Sequence, residues 1–173
     1  EHRTAAERLQ GASEQVRADF YVQINGDEPL IDPANIDAAV PDEVPLDVEF
    51  GTNIIARVKD PAQLCHSSNI KVVFDGSFRA LYMSRTPVPY PFCDVSFSYY
   101  KHVGIIGYNR KMLDFYKSSA PGRLELIEGI DTLRFLDYGK ELRLIPAERV
   151  DSLSVDTEAD LRWVRERMSE KRL

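Results

Sequence analysis

Two adjacent carboxylates follow a short apolar stretch near the start of the chain. Residues 21–30 read Tyr-Val-Gln-Ile-Asn-Gly-Asp-Glu-Pro-Leu. Gly26 permits a sharp bend before Asp27 and Glu28, and the proline that follows stiffens the exit. Ligands of an open parallel α/β sheet bind at the carboxyl ends of its strands, where a carboxylate can hold Mg²⁺ against substrate phosphates. The alternative interpretation is a polar turn without a chemical role.

Regular apolar spacing predicts the elements that must position this turn. Predicted strands cover residues 20–24, 53–58, 71–74, 79–83, 100–108 and 142–145, and predicted helices cover residues 3–17, a segment from Asp32, residues 111–116 and residues 157–168. A further helix of about four turns is predicted from Leu124 to Gly139. Asp75-Gly76 predicts a β-hairpin. The order indicates a mixed α/β sheet with a hairpin insertion.

Composition limits the classes of function. The chain has 173 residues, of which 43% are apolar and 29% charged, as in a single globular domain. A net charge of −6 with scattered basic residues disfavours nucleic acid as a partner. Cys65 and Cys93 lack metal-ligand spacing, and the chain has neither a membrane-spanning apolar run nor a signal-peptide core. We therefore expect a cytoplasmic protein.

The order of motifs along the chain resembles a known enzyme family. Gly-Asp-Glu-Pro after an apolar strand is similar to a motif of the cytidylyltransferases that activate 3-deoxy-manno-octulosonate (Kdo) for lipopolysaccharide synthesis. Residues 1–9 resemble the family's His-x-Ser-Gly-Thr-x-Arg-Leu segment, and residues 69–89 resemble its Asn-x-x-Lys-Val-Val to Ser-Arg-x-Pro-x-Pro stretch. The match continues in order through residues 102–108, 124–134 and 155–161.

The resemblance implies a fold and a reaction. The implied fold is a Rossmann-like nucleotide-diphospho-sugar transferase domain over residues 1–173, with a hairpin that forms a homodimer. The implied reaction joins CTP to an acid sugar, as the anomeric hydroxyl attacks the α-phosphorus and pyrophosphate leaves. The family's amino-terminal phosphate loop and first strands have no counterpart before Asp27. We therefore expect the chain as given to be incomplete for activity.

Two aspartates are implied as ligands of Mg²⁺. Asp27 and Asp156 stand at the family's two metal positions. Carboxylates from separate turns can share one magnesium ion, whose remaining sites go to phosphates and water. The alternative for Asp156 is a helix cap, because Thr157 and Asp160 form a capping-box pattern just after it.

Three residues are implied as nucleotide contacts. Arg8 resembles an arginine that contacts the nucleotide, Thr4 stands where the family has a serine near the base, and Asn25 replaces a glutamine. Ala5-Ala6 departs from the Gly-Thr of the family in the same segment. The alternative for Arg8 is a solvated surface charge.

Three other residues are implied as sugar contacts. Arg85 would clamp the sugar carboxylate through two hydrogen bonds, His102 matches a position in the sugar pocket, and Glu125 resembles an acceptor for a sugar hydroxyl. The alternatives are a surface arginine, a hydrogen-bonded core histidine and a solvated glutamate. Glu128 is a weaker candidate.

Three departures from the family fall where it would touch the sugar. Asn25 replaces a glutamine, Ile106 stands where a tyrosine is usual, and Leu126 replaces a polar residue. Each change removes or shortens a hydrogen-bonding group, so we expect a modified or differently hydroxylated acid sugar. Other interpretations are a different nucleotidyltransferase, a metal-dependent glycosyltransferase, or a non-catalytic remnant that dimerises or binds nucleotide.

Overall fold

A six-stranded mixed sheet forms the centre of the structure. The computed structural model describes residues 4–93, 96–147, 155 and 157–170. The strands are β1 (Phe20–Ile24), β2 (Phe50–Arg57), β3 (Lys71–Phe74), β4 (Ala80–Ser84), β5 (Tyr100–Asn109) and β6 (Glu141–Pro146). The helices are α1 (Ala5–Ser13), α2 (Pro33–Ala38), α3 (Arg110–Ser118), α4 (Arg123–Glu128), α5 (Leu133–Asp137) and α6 (Glu158–Glu170), with a 3₁₀ turn at Pro61–Leu64.

The long strand β5 carries the sheet. It pairs antiparallel with β2 along one edge, while β1 and β3 share its other edge. β2 in turn pairs in parallel with β6, and β3 pairs with β4, which gives the order β4-β3-β5-β2-β6 with β1 beside β5. The mixed α/β architecture predicted from the order of elements is confirmed.

Apolar side chains pack on both faces of the sheet. Alternation along β5 sends Ile106 and Tyr108 into a cluster with α3 and α5, and sends Val103 and Ile105 into a cluster beneath α2. Within the part of the chain that the structure describes, no helix is both long enough and apolar enough to cross a bilayer.

The predicted β3–β4 hairpin is present, and its left-handed residue is not a glycine. Phe78 has a φ of 58°, so Phe78, and not Gly76, adopts the left-handed conformation. The Phe78 ring stacks on the Phe74 ring, with centroids 5.1 Å apart. The backbone carbonyl of Phe78 accepts from the Leu144 N–H at 2.7 Å. These contacts hold a conformation that costs a non-glycine residue about 1–2 kcal/mol.

The predicted long helix from Leu124 to Gly139 is wrong, because the chain forms α4 and α5 with a break between them. Gly129 has a φ of 63° and donates its N–H to the Glu125 carbonyl at 2.8 Å, which ends α4. The apolar period continues across the break, since Ile130 and Leu133 are both buried. Helix α1 is also shorter than the predicted residues 3–17.

Gly107 on β5 provides a test of this packing. A Cβ atom there would lie 2.3 Å from the Phe20 ring and 2.4 Å from Thr52 Oγ1. We expect Gly107→Ala to lower the free energy of unfolding by about 1–3 kcal/mol in urea denaturation. Gly76→Ala is the control, because no atom lies within 4 Å of the added Cβ. Equal stability of the two variants would contradict the close approach of Phe20.

Candidate active site

A notch along one edge of β5 brings the end of β1 to the middle of the sheet. β1 pairs with the carboxyl half of β5 and β3 with its amino-terminal end, so residues 102–104 lie between the two strands. In this notch the Asn25 N–H donates to the Gly104 carbonyl at 2.9 Å, and the His102 N–H donates to the Ile70 carbonyl at 2.8 Å. The turn that follows β1 therefore begins against β5.

The acidic turn is fixed on both sides. Glu28 Oε1 accepts from the Gly104 N–H at 2.7 Å, and a Cβ atom at position 104 would lie 2.3 Å from that oxygen. Only glycine permits this approach. On the other side, the Val155 N–H donates to the Asp27 carbonyl at 2.8 Å. Val155 thus lies beside the turn.

The predicted metal ligands are only partly described. Asp156 lies outside the described residues, so the pairing of Asp27 with Asp156 stays a prediction. The Val155 N–H donates to the Asp27 carbonyl, and Val155 directly precedes Asp156 in the sequence. Among the residues that the structure describes, no group of three His, Cys, Asp or Glu side chains is arranged to hold a metal ion. Thr157 and Asp160 form the predicted capping box at the start of α6.

Two cavities adjoin the end of β1. The first, of about 640 Å³, includes Arg8 and Asp27 in its lining, and the second, of about 600 Å³, includes His102. Both are lined by Gln23 and Asn25, which therefore form a common wall. The second cavity is also lined by Glu125, a predicted sugar contact, and by Ile106 and Leu126, which depart from the family pattern. Asn25, Ile106 and Leu126 therefore share one cavity.

Thr4 lines the second cavity as the cap of α1. Its Oγ1 accepts from the Glu7 N–H at 3.1 Å and lies 3.0 Å from Tyr116 Oη. Arg8, one turn later, lines the first cavity instead. Helix α1 therefore contributes to both cavities, and the nucleotide roles of Thr4 and Arg8 stay predictions.

Arg85 lines neither cavity and joins the hairpin to α4. Its guanidinium donates to the carbonyls of Glu128 at 2.7 Å, Ser67 at 2.9 Å and Gly129 at 3.1 Å. Its predicted role as a clamp for the sugar carboxylate stays a prediction, and those donors already have acceptors in this structure.

Glu128 fastens α4 to the hairpin. Its carboxylate accepts from Tyr82 Oη at 2.9 Å, from Ser84 Oγ at 2.7 Å and from the Arg85 N–H at 2.9 Å. Burial acts to raise the pKa of Glu128, but these hydrogen bonds outweigh it and lower the pKa. Glu128 is therefore a charged structural contact between two elements.

Glu125 forms a buried ion pair with Arg134. Glu125 Oε1 and Oε2 lie 2.6 and 2.7 Å from two guanidinium nitrogens, and both side chains are at most one-tenth exposed. Glu125 Oε2 also accepts from the Gly122 N–H at 3.0 Å, and the guanidinium stacks 3.8 Å from the centre of the Tyr116 ring. The solvated alternative for Glu125 is wrong, while its contact with a sugar stays a prediction.

His102 is a half-buried, hydrogen-bonded histidine at the cavity wall. Its Nδ1 lies 2.7 Å from Asn53 Oδ1. Burial lowers the pKa of the imidazole to about 4. The ring is therefore uncharged at neutral pH, and its role in a sugar pocket stays a prediction.

Gln23 and Asp131 are polar cavity residues outside the predicted set. Gln23 Oε1 is buried without a hydrogen-bond partner in the described part of the chain, while its Nε2 donates to Asn25 Oδ1 at 3.2 Å. Asp131 lies in the second cavity, where burial raises the pKa of its carboxyl against the opposing effect of the Ala6 and Thr132 N–H groups. Strand alternation could have indicated Gln23, two residues before Asn25. Asp131 was not predicted, because it lies in the break between α4 and α5 where the sequence predicted a continuous helix.

Comparison with known proteins identifies the family. A family model described as Cytidylyltransferase matches residues 1–142. The chain belongs to the cytidylyltransferase family. The resemblance to its Kdo branch and the Rossmann-like fold are confirmed by the relatives that follow.

Relatives of this cytidylyltransferase chain carry two kinds of name. Proteins named 3-deoxy-manno-octulosonate cytidylyltransferase from Solibacter usitatus and Chlorobium phaeobacteroides are 38% and 37% identical over 95% of this chain, and the chain covers 65% and 67% of their lengths. A protein from Shewanella halifaxensis named 8-amino-3,8-dideoxy-manno-octulosonate cytidylyltransferase is 34% identical over 87% of this chain and 62% of its own length. The chain thus spans about two thirds of the length of these relatives.

Solved structures agree with the family assignment. A structure of a CMP:2-keto-3-deoxy-manno-octonic acid synthetase complexed with CTP matches 99% of this chain and 70% of its own, with a TM-score of 0.88 and 30% identity. An inositol-1-phosphate CTP transferase from T. maritima matches 91% of this chain and 58% of its own, with a TM-score of 0.57 and 17% identity. The second match supports the fold alone.

The burial of Asp131 should make stability depend on pH. Because the pKa of Asp131 is raised in the folded protein, the protonated carboxyl contributes to the free energy of unfolding. This contribution is fully present below the pKa of Asp131 in the unfolded chain and is lost as the pH rises through its pKa in the folded protein. We expect Asp131→Asn to raise the midpoint of thermal unfolding at neutral pH, with the difference shrinking toward about pH 4. Asp37→Asn, on an exposed part of α2, is the control. An Asp131→Asn protein that is less stable at neutral pH would contradict the raised pKa.

Proposed function

We propose that the complete protein transfers a cytidylyl group from CTP to Kdo or a related acid sugar, releasing pyrophosphate. The observation that carries the proposal is the common wall of the two cavities at the acidic turn. A nucleotide in the first cavity and a sugar in the second would meet beside Asp27. The names of the relatives and the CTP in the matched synthetase structure agree with this pair of substrates.

In this proposal the chain acts mainly by positioning two bound substrates. Arg8 offers a positive charge in the first cavity, where the nucleotide phosphates would lie. Displacement at the α-phosphorus needs the sugar hydroxyl held in line with the departing pyrophosphate, and no covalent intermediate on the protein is required. The wall formed by Gln23 and Asn25 would keep the two substrates adjacent.

Asp27 and Asp156 are the proposed ligands of Mg²⁺. The contact between the Val155 N–H and the Asp27 carbonyl supports this, because Val155 directly precedes Asp156 in the sequence. A bound Mg²⁺ ion would offset the charge of the phosphates and polarise the phosphoryl oxygen under attack.

The second cavity is the proposed sugar site. His102, Asp131 and Asn25 provide polar atoms there, whereas Ile106 and Leu126 provide apolar surface. The family pattern has hydrogen-bonding groups at positions 106 and 126, so an altered sugar fits this lining better than one with every hydroxyl in place. The 8-amino sugar named for a relative is one such compound.

Pyrophosphate release tests the proposed reaction. The assay contains CTP, Mg²⁺ and either Kdo or 8-amino-3,8-dideoxy-manno-octulosonate, and it is run on the 173-residue chain and on a version extended at its amino terminus. We expect release from the extended protein, with higher kcat/KM for the modified sugar. A preference for Kdo would mean that the apolar groups at positions 106 and 126 do not select the sugar.

Replacing the strand-end aspartate tests the metal proposal. We expect Asp27→Asn to lower kcat by at least about a hundredfold, because one charged oxygen ligand is lost from a site that must offset phosphate charge. The measurements are pyrophosphate release across a Mg²⁺ titration and the thermal midpoint. Asp37→Asn, the same change on α2, should retain activity. Full activity of Asp27→Asn would remove the metal assignment, and unfolding would make Asp27 structural.

We also propose a cytoplasmic homodimer that uses the hairpin and residues 84–90. Tyr90 and Phe92 support this, because these two aromatic residues are 82% and 90% exposed and lie two positions apart, and clustered exposed apolar groups mark contact surfaces. We expect Tyr90→Ser with Phe92→Ser to shift the protein toward the monomer in light scattering at micromolar concentration. Val48→Ser, at an exposed apolar residue between α2 and β2, is the control. A stable monomer before mutation would contradict the dimer.

A further inference from the structure

Asn53 is a fully buried amide at an irregularity of the sheet. The pairing of β2 with β5 shifts register between Asn53 and Ile55. Asn53 Nδ2 donates to the carbonyls of Ile54 at 3.2 Å, Val103 at 2.9 Å and Ile105 at 3.0 Å. Three carbonyl acceptors identify this atom as the amide nitrogen. The other amide atom, Oδ1, is therefore an acceptor.

The orientation of Asn53 sets the tautomer of His102. Asn53 Oδ1 lies 2.7 Å from His102 Nδ1, and since an amide oxygen only accepts, Nδ1 carries the proton. A neutral imidazole has one N–H group, which leaves Nε2 as an acceptor. The pKa of about 4 keeps the ring neutral at physiological pH.

His102 Nε2 is the ring nitrogen that a ligand can reach. It has no hydrogen-bond partner in the described part of the chain. In that part, the fully buried side-chain N and O atoms that lack a partner are Gln23 Oε1 and Tyr108 Oη, so His102 Nε2 is not fully buried. His102 Nε2 is therefore accessible, and the ring lines the second cavity. The titratable groups that line the same cavity are Glu7 on α1, Glu125 on α4, Asp131 before α5 and Arg134 on α5.

We propose that Asn53 is a positioning residue that presents His102 Nε2 as a fixed acceptor for a hydrogen-bond donor of the sugar. The inference rests on the proposed function of the second cavity as the sugar site. The donor could be a hydroxyl or an ammonium group. A hydroxyl can also accept, whereas an ammonium group can only donate. The fixed acceptor therefore matters most for a sugar with an amino group.

The tautomer can be measured without any substrate. Long-range ¹⁵N–¹H NMR correlation on the complete protein, labelled at histidine, distinguishes the two ring nitrogens. We expect the Nδ1–H tautomer of His102 throughout the range from about pH 5.5 to pH 8. Observation of the Nε2–H tautomer in the unaltered protein would overturn the proposal.

Asn53→Asp tests the positioning role. A carboxylate beside Nδ1 favours the imidazolium, so Nε2 should become a donor at neutral pH. We expect the KM for the sugar to rise at least about tenfold, the energetic equivalent of one lost hydrogen bond, with the KM for CTP unchanged and recovery at a pH above the new histidine pKa. The increase should be larger for 8-amino-3,8-dideoxy-manno-octulosonate than for Kdo, because an ammonium group is also repelled by the imidazolium.

Asn109→Asp is a matched control on the same sheet. Asn109 is also buried, accepts from the N–H groups of Phe50 and Met112, and donates to the carbonyls of Pro45 and Val48. It lines neither cavity described above. This variant should lose stability while the NMR signals of His102 and the KM for the sugar stay unchanged.

The outcomes separate the two proposals. If the KM for the sugar is unchanged in Asn53→Asp, or rises equally in Asn109→Asp, Asn53 only stabilises the register shift of the sheet and the proposal fails. If the unaltered protein activates neither sugar, the proposed function fails, and the NMR measurement still decides whether Asn53 fixes the tautomer. If Asn53→Asp does not fold, the tautomer of the unaltered protein remains the deciding observation.

Discussion

The site depends on how three strands share the backbone hydrogen bonds of β5. β2 occupies one edge along most of its length, while β1 and β3 each cover only part of the other. A strand edge left open in a sheet interior must find other partners for its N–H and C=O groups. Here Asn25, Glu28 and Ile70 supply them. The backbone groups of β5 that β1 and β3 leave unpaired therefore hold the acidic turn at the notch.

The notch is surrounded by contacts of two different kinds. The acidic turn is held mainly by backbone groups and by Glu28 against Gly104. The far wall of the second cavity depends on charged side chains, since Glu125 pairs with Arg134 across the break between α4 and α5. A buried pair of this kind is sensitive to loss of one partner. The shape of the second cavity therefore depends on Arg134 of α5 as well as on the sheet.

The sequence predicted the elements far better than it predicted side-chain partners. Strand alternation and capping patterns are local, so β1 and the start of α2 were predicted at Phe20–Ile24 and Asp32 as observed. The break at Gly129 was missed because the apolar period continues through Ile130, and periodicity does not register a change of backbone conformation. Asn53 meets His102 only through the pairing of β2 with β5, forty-nine residues apart in sequence. The acidic turn was found because Gly26, Asp27 and Glu28 are contiguous.

The contacts that hold the turn leave several cavity positions open to evolutionary change. The Asn25 N–H and the Val155 N–H would be present with almost any residue, and Gly104 acts through its backbone. Side chains at positions 25, 106 and 126 can therefore vary without removing the hydrogen bonds that form the notch. Under the proposed function, substitution at those positions would change the lining of the sugar site and leave the backbone contacts of the turn in place. The backbone contacts that hold the turn and the side chains that line the cavity can thus change independently of each other.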